Sequence, residues 1–253
     1  MKKIQLTLVQ IDNYGPWTVS PKPRLEADLQ VLQAELLAEL ERQFGKRGAL
    51  VFPTRFDNFL AITNGVSLNG HKEIMRAVNE KFPVTVSMGV GAAQTPYKAQ
   101  VHATMALQKA GSSQSPKRRG VLVGEPIEKA TGKWVQIAHM DVNHSTLFTD
   151  SKPIYETHML IQRTHLALMS SLLERDALVF YTGGDNFMAA SNGVGAEDLT
   201  KIFLEVKQEL GVELKAGVGC ARTAVRAAQL ASEELHNIRK GSAKGNISFK
   251  QED

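Results

Sequence analysis

Four aspartates occupy positions from which carboxylates can hold a cation. Asp12 and Asp141 each close an alternating apolar run, in QID and HMD, and Asp57 and Asp185 each lie between two short apolar runs, in TRFDN and TGGDN. If the first strand neighbours the hairpin, Asp12 converges with Asp57 and Asp141 with Asp185. Paired carboxylates suit Mg²⁺, a hard ion that takes oxygen ligands and keeps several waters. Aspartates also end strands and fill turns without binding anything; the same pair written twice favours metal. Zinc is excluded as a thiolate site, because Cys220 is the only cysteine, and structural zinc sites of that kind need two to four. The seven histidines are His71, His102, His139, His144, His158, His165 and His236. His158 and His165 are seven apart, too far for a zinc pair on one helix. His139 and His144 flank Asp141 and are the general-base candidates.

Other side chains near these aspartates suit an anionic ligand. Gly183 and Gly184 let a phosphate approach the backbone, although a hairpin turn alone also demands glycine. Arg55 and Phe56 stand in their places in the first hairpin, and Arg55 is a candidate bidentate phosphate donor. In Asn13-Tyr14-Gly15-Pro16-Trp17 two aromatics flank a Gly-Pro turn, placed either to stack on a base or to pack over the sheet edge. Lys22 and Arg24 follow as cations that meet phosphate or solvent.

The elements that must position these residues come in duplicate. ALVFPTRFDNFLAITNGV at 49–66 and ALVFYTGGDNFMAASNGV at 177–194 share 12 of 18 positions, against ~1 for unrelated segments. The offset is 128. It persists at Gly89-Val90-Gly91 against Gly217-Val218-Gly219 and at Thr95 against Thr223. Upstream, Asp12 faces Asp141 at an offset of 129. Two units are too few for a solenoid, so the chain reads as one fold fused to its copy, 1–128 and 129–253.

Each copy gives the same element order. Strands are expected near 3–11 and 134–140. A long amphipathic helix follows on Leu25, Leu29, Leu32, Leu36 and Leu40, its twin on Leu160, Leu166, Leu168, Leu172 and Leu173. Then come a hairpin (49–53 with 58–62; 177–181 with 187–190), a helix (71–81; 196–209), a strand (84–90; 212–218), a third helix (97–110; 224–238) and a last short strand (121–123; 247–249). This βαββαβ order with an appended αβ predicts an α/β (α+β) chain of two tandem ferredoxin-like, palm-type domains.

Composition narrows the function classes. Thirty Lys+Arg against 26 Asp+Glu leave a net charge of +4, which excludes a polybasic tail as the main business. A hydrophobic fraction of 43% with 22% charge is globular, not disordered. The N-terminal apolar run ends at Asp12, unlike a signal peptide, and no stretch approaches ~20 apolar residues. The expectation is a cytoplasmic protein with an anionic small-molecule ligand, no nucleic acid and no membrane partner.

The GGDNF hairpin beside a strand-ending aspartate resembles the palm domains of GGDEF proteins and class III nucleotidyl cyclases. Taken with QIDNYGPWTVSPKPR, TRFDNFLAITNG and KAGVGCARTA, it is similar over essentially the whole chain to the archaeal GTP cyclohydrolase III family. That resemblance implies GTP as substrate, opening of its imidazole ring, pyrophosphate release and a formylaminopyrimidine nucleotide product. It implies two Mg²⁺ ions with K⁺ as activator, and a homo-oligomer, dimer or tetramer. The catalytic aspartates would be Asp12, Asp57, Asp141 and Asp185, with Val142 joining them in the metal set. Asn13, Tyr14, Trp17, Arg24, Arg55, Asn58, Gly183, Gly184 and Asn186 would touch substrate. Asn186 stands where GGDEF enzymes are acidic, which weakens a diguanylate cyclase reading. A nucleotidyl cyclase and a non-catalytic nucleotide-binding palm pair are the alternatives.

Overall fold

The computed structural model describes residues 3–127, 134–143 and 150–252. His144, a general-base candidate, lies outside them. The chain divides into two compact units, residues 1–94 with 98–133, and residues 95–97 with 134–253.

In the first unit, β1 (Ile4–Ile11), α1 (Tyr14–Val19), α2 (Glu26–Gly45), β2 (Leu50–Pro53), β3 (Asn58–Ile62), α3 (Leu68–Lys81), β4 (Val86–Ala93), α4 (Pro96–Lys109) and β5 (Leu122–Gly124) follow in order. The second has β6 (Val135–Val142), α5 (Ile154–Leu173), β7 (Leu178–Gly183), β8 (Asn186–Ala190), α6 (Ala196–Leu210), β9 (Leu214–Ala221), α7 (Ala224–Arg239) and β10 (Ile247–Gln251). The sheets run β2-β3-β1-β4-β5 and β10-β9-β6-β8-β7. The first strand sits at the centre, antiparallel to both neighbours, and the last strand adds in parallel. This is the expected ferredoxin-like, palm-type order, made twice.

One face of each sheet holds the apolar core. Val9 and Ile11 pack with Leu36, Leu40, Phe44, Ile74 and Val78 in the first unit; Met140 and Val142 pack with Leu168, Leu172, Ile202 and Val206 in the second. Helices α4 and α7 cover the opposite faces. They come close because glycine faces them: a Cβ on Gly217 would run into the Ala231 carbonyl, and one on Gly89 into that of Ala103. Gly217→Ala should therefore cost about 1–3 kcal/mol of overpacking, read as a thermal midpoint several degrees lower.

Two local expectations change. The 14–17 segment is a short helix, not a Gly-Pro turn. Pro16 falls in its first turn, where no intrahelical N–H is needed. On α5 the buried stripe is Thr157, Ile161, Thr164, Leu168 and Leu172; Leu166 and Leu173 of the expected stripe are exposed. Five leucines in one helix disguised which apolar stripe faces inward.

A buried polar chain also marks the first unit. His71 Nδ1 lies 2.8 Å from the Ser67 carbonyl, which can only accept, so Nε2 accepts from Thr7 at 2.8 Å. Thr63 and Gln5 extend the chain. Burial holds the His71 pKa below the ordinary 6.5. Above that pH folded and unfolded chains are both neutral here. As pH falls through 6.5 only the unfolded chain takes the proton, so stability should drop by up to about 1.4 kcal/mol per pH unit. Denaturant unfolding from pH 7.5 to 5 should show this slope, reduced in His71→Gln.

Candidate functional site

Strand register corrects the upstream alignment of the copies. Asn58 and Asn186, 128 apart, pair with Gln10 and Asp141. Ser87 and Lys215, also 128 apart, face the same two residues across the other edge. The Asp12 N–H donates to the Thr85 carbonyl and the Asn143 N–H to that of Glu213. The first strands are thus offset by 131, so Asp141 corresponds to Gln10 and Asp12 to Asn143. The strand-to-helix connection is three residues shorter in the second copy. The two strand-end aspartates are not one position written twice.

Their surroundings differ accordingly. Asp12 is buried, and both its oxygens are taken. Oδ1 accepts from Ser87 Oγ at 2.6 Å and Arg118 Nη2 at 3.5 Å, and Oδ2 from Thr85 Oγ1 and the Gly120 N–H, both at 2.8 Å. Its hairpin neighbour Asp57 is bound by Arg55 at 3.2 and 2.7 Å and by Asn58 at 2.7 Å. Burial raises the Asp57 pKa, but the hydrogen bonds from Arg55 and Asn58 outweigh it and the net shift is downward. The Ile11 N–H donates to the Asp57 carbonyl, so strand end and hairpin do meet.

In the second unit Asp141 is also buried. Its described partners gather on Oδ2: Arg239 Nη2 at 2.7 Å, Arg239 Nε at 3.1 Å and Lys215 Nζ at 3.0 Å. Asp185 reaches this corner through the Val142 N–H, which donates to its carbonyl at 3.3 Å. The described partner of its carboxylate is Asn186 Nδ2, on Oδ1 at 2.9 Å. His139 sits two residues earlier on the same face, with Nδ1 3.0 Å from Ser232 Oγ. Burial lowers its pKa and Arg239 adds to that, against the raising effects of Asn186 and Asp141. Beside Asp185, Gly183 and Gly184 have φ of 110° and 60°, and Phe56, in the place of Gly184, holds the same φ of 60°. A bulky residue pays strain there that glycine does not.

The remaining expected contacts lie around β1's end. Tyr14 and Trp17 stack on each other, centroids 6.0 Å apart. The Arg24 guanidinium lies 3.8 Å from the Trp17 ring centre, and Tyr14 OH accepts from Gln33 at 2.9 Å. Asn13 takes a left-handed φ of 54°, its Oδ1 buried without a hydrogen bond. Asn58 Oδ1 accepts from Gln10 at 2.7 Å.

Sequence reasoning missed Lys215, Arg239, Ser232, Thr85, Ser87, Arg118 and Gly120. Lys215 opens the KAGVGCARTA segment, and an antiparallel register with the HMD strand would have placed it opposite Asp141.

Donor chemistry decides which aspartates fit a divalent cation. Every carboxylate oxygen of Asp12 and Asp57 already accepts from a protein donor, so that pair does not fit. On Asp141 and Asp185 the described partners hold one oxygen each, and those on Asp141 are cations standing where positive charge is wanted. Among the described residues no group of three His, Cys, Asp or Glu side chains gathers; a third protein oxygen would come from backbone, as Val142 can supply.

Two palm-type sheets in tandem, one bearing a carboxylate-and-cation corner beside a double-glycine hairpin, define a duplicated palm protein. The family model described as GTP cyclohydrolase III matches residues 4–252. Similar proteins named GTP cyclohydrolase III include one from Methanothermobacter thermautotrophicus, 51% identical over 94% of this chain and 95% of its own. Another, from Methanocaldococcus jannaschii, is 48% identical over 99% and 94%. The chain belongs to the GTP cyclohydrolase III family. Similar solved structures include the GGDEF domain of DgcB from Caulobacter crescentus in complex with c-di-GMP, at 15% identity, 47% of this chain, 77% of that one and a TM-score of 0.41. A bacterial light-regulated adenylyl cyclase aligns at 12% identity over 98% of this chain and 85% of its own, with a TM-score of 0.39. Among the described residues no helix is long and apolar enough to cross a membrane.

Proposed function

We propose that this chain acts on GTP in the cytoplasm, opening the imidazole ring of guanine and releasing pyrophosphate, one water consumed for each bond cleaved, to leave a formylaminopyrimidine nucleotide monophosphate. Family membership over nearly the full length supports the substrate. The observation that carries the placement is the Asp141 corner, where a buried carboxylate meets two cations beside a glycine hairpin.

Asp141, Asp185 and the Val142 carbonyl are the groups that would hold Mg²⁺, which when bound supplies charge neutralisation at the phosphates and water of lowered pKa. Both ions of the two-metal reading fall to this pair. The chain's own cations do the rest of the electrostatic work. Arg239, with its side chain 44% exposed, can exchange Asp141 for phosphate oxygens and grip them bidentately. Lys215 adds a point charge. Together they offset the negative charge that builds on the departing pyrophosphate. Gly183 and Gly184 leave room for the phosphates at the hairpin backbone. His139, kept neutral near pH 7 by burial, is able to accept a proton. For the first unit taken by itself, the family resemblance gives Asn13, Tyr14, Trp17, Arg24, Arg55 and Asn58 as the candidate nucleotide contacts. K⁺ stays as activator on the strength of the family alone; exchanging potassium for choline salts should lower turnover.

Incubation with GTP and Mg²⁺ tests the whole reading. Expected are loss of guanine absorbance and a ring-opened monophosphate by mass spectrometry, with ³¹P NMR reading how the phosphates leave. A cyclic or dinucleotide product would make it a nucleotidyl cyclase, and unchanged GTP a binding module.

A further inference from the structure

The glycine hairpin of the second unit carries a brace that the first hairpin lacks. Tyr181 Oη donates to the Gly184 carbonyl at 3.2 Å. The tyrosine ring is half-buried against the core of its unit, 6.0 Å between centres from Phe187 and 6.2 Å from His165. Phe187 is fully buried and faces Tyr181 across the hairpin. The hydroxyl is thus carried on a ring whose place is fixed.

A turn of two glycines has little else to hold it. Gly183 and Gly184 stand at φ of 110° and 60°, and a Cβ on either would meet nothing closer than 3.8 Å. Glycine takes both signs of φ about equally well, so the peptide between Gly184 and Asp185 can turn over at small steric cost unless its carbonyl is held. Tyr181 holds it. That peptide is trans, so its N–H points away from the side its C=O faces. With the Gly184 carbonyl drawn to the tyrosine, the Asp185 N–H is aimed away from it, where it has no acceptor among the described residues.

The duplication supplies an internal control. The matching residues, 128 earlier, are Pro53 for Tyr181, Arg55 and Phe56 for the glycines, and Leu37 for His165. Proline has no hydroxyl to offer. The first hairpin is fixed by other means. Phe56 at φ 60° sits in the narrow left-handed well that a side chain allows, and Arg55 grips the Asp57 carboxylate at 3.2 and 2.7 Å. That lock occupies the carboxylate. The tyrosine lock acts on a backbone carbonyl and leaves the Asp185 carboxylate with Asn186 on one oxygen.

We propose that Tyr181 is a positioning residue: its hydroxyl keeps the Gly184–Asp185 peptide in the orientation that presents the Asp185 N–H to a phosphate oxygen of the nucleotide. This rests on the reading of the hairpin as the phosphate site. Tyr181 does not touch substrate in this role. It sets the fraction of molecules whose turn is ready, and apparent affinity scales with that fraction.

Tyr181→Phe keeps the ring and removes the brace. One neutral hydrogen bond corresponds to about 3–10-fold in the population it favours. KM for GTP should rise by that factor with kcat unchanged, the pattern of lost uniform binding. Calorimetric titration with inorganic pyrophosphate and Mg²⁺ should weaken by the same factor. In nucleotide-free protein, ¹⁵N relaxation should show lower order at the Gly184 and Asp185 amides, while those of Phe56 and Asp57 keep theirs. An unchanged KM, a fall in kcat in its place, or unchanged order at the turn overturns the proposal. A wild type that binds neither GTP nor pyrophosphate overturns the phosphate reading and this proposal with it. A wild type that binds both, beside a variant that binds them as tightly, overturns this proposal alone.

Discussion

Asp185→Asn is expected to lower kcat by roughly 10²-fold or more, while Asp57→Asn stays within a few-fold of wild type. The two residues share a position in the repeat and differ in what surrounds them. Arg55 and Asn58 bind both Asp57 oxygens, and the first-strand partner opposite Asn58 is the neutral Gln10. Asp185 has Asn186 on one oxygen and lies beside the strand that carries Asp141, whose carboxylate Lys215 of β9 and Arg239 of α7 hold. Removing a carboxylate that handles developing phosphate charge costs several kcal/mol of transition-state stabilisation. Asp185 is only half-buried and its described side-chain partner is its neighbour, so the thermal midpoint should barely move. Steady-state kinetics beside a melting curve reads both. A dead Asp57→Asn and an active Asp185→Asn would move the chemistry to the first unit.

How much of this was legible in the sequence follows from what periodicity and repetition can carry. The 12 matched positions around the hairpins, with strand and helix periods on either side, are enough for element order and sheet order, because a βαββαβ chain has few ways to close. The corner at Asp141 was half legible. Asp141, Asp185, Asn186 and the glycines lie inside motifs; Lys215 and Arg239 arrive from β9 and the end of α7, placed by register and helix length. The false match of Asp12 to Asp141 arose because a deletion of three in a connection of low identity leaves aspartate almost aligned with aspartate. Hydrogen-bond register detects that slip: the strands are offset by 131, not 129, and a two-residue shift keeps every side chain on its face, so apolar alternation alone does not expose it. The aromatic pair at Tyr14 and Trp17 shows the opposite limit: residue type announced a stacking surface, and local folding let the two rings stack on each other.

Asp12 is the residue on which the repeat-based and geometric readings part most sharply. As a metal ligand, Asp12→Asn would abolish turnover and leave the fold intact. The structure instead makes its carboxylate the anchor of the segment before β5. It takes the Gly120 N–H, two hydroxyls and Arg118, and the two charged side chains are 1% and 3% exposed. Arg118 also reaches Gln10 Oε1 and the Gly111 carbonyl, both at 3.1 Å. An amide keeps the shape but turns N–H groups toward donors and leaves the guanidinium without its counter-charge. Breaking a buried pair in this way costs about 3–5 kcal/mol, a midpoint lower by roughly 10 °C for a chain of this size. Assayed well below its midpoint, Asp12→Asn should retain kcat within a few-fold. Removing the stranded charge as well, in Asp12→Asn/Arg118→Leu, should recover part of the loss, a coupling of about 0.5–3 kcal/mol. A variant that melts like wild type and turns over nothing would return Asp12 to the chemistry.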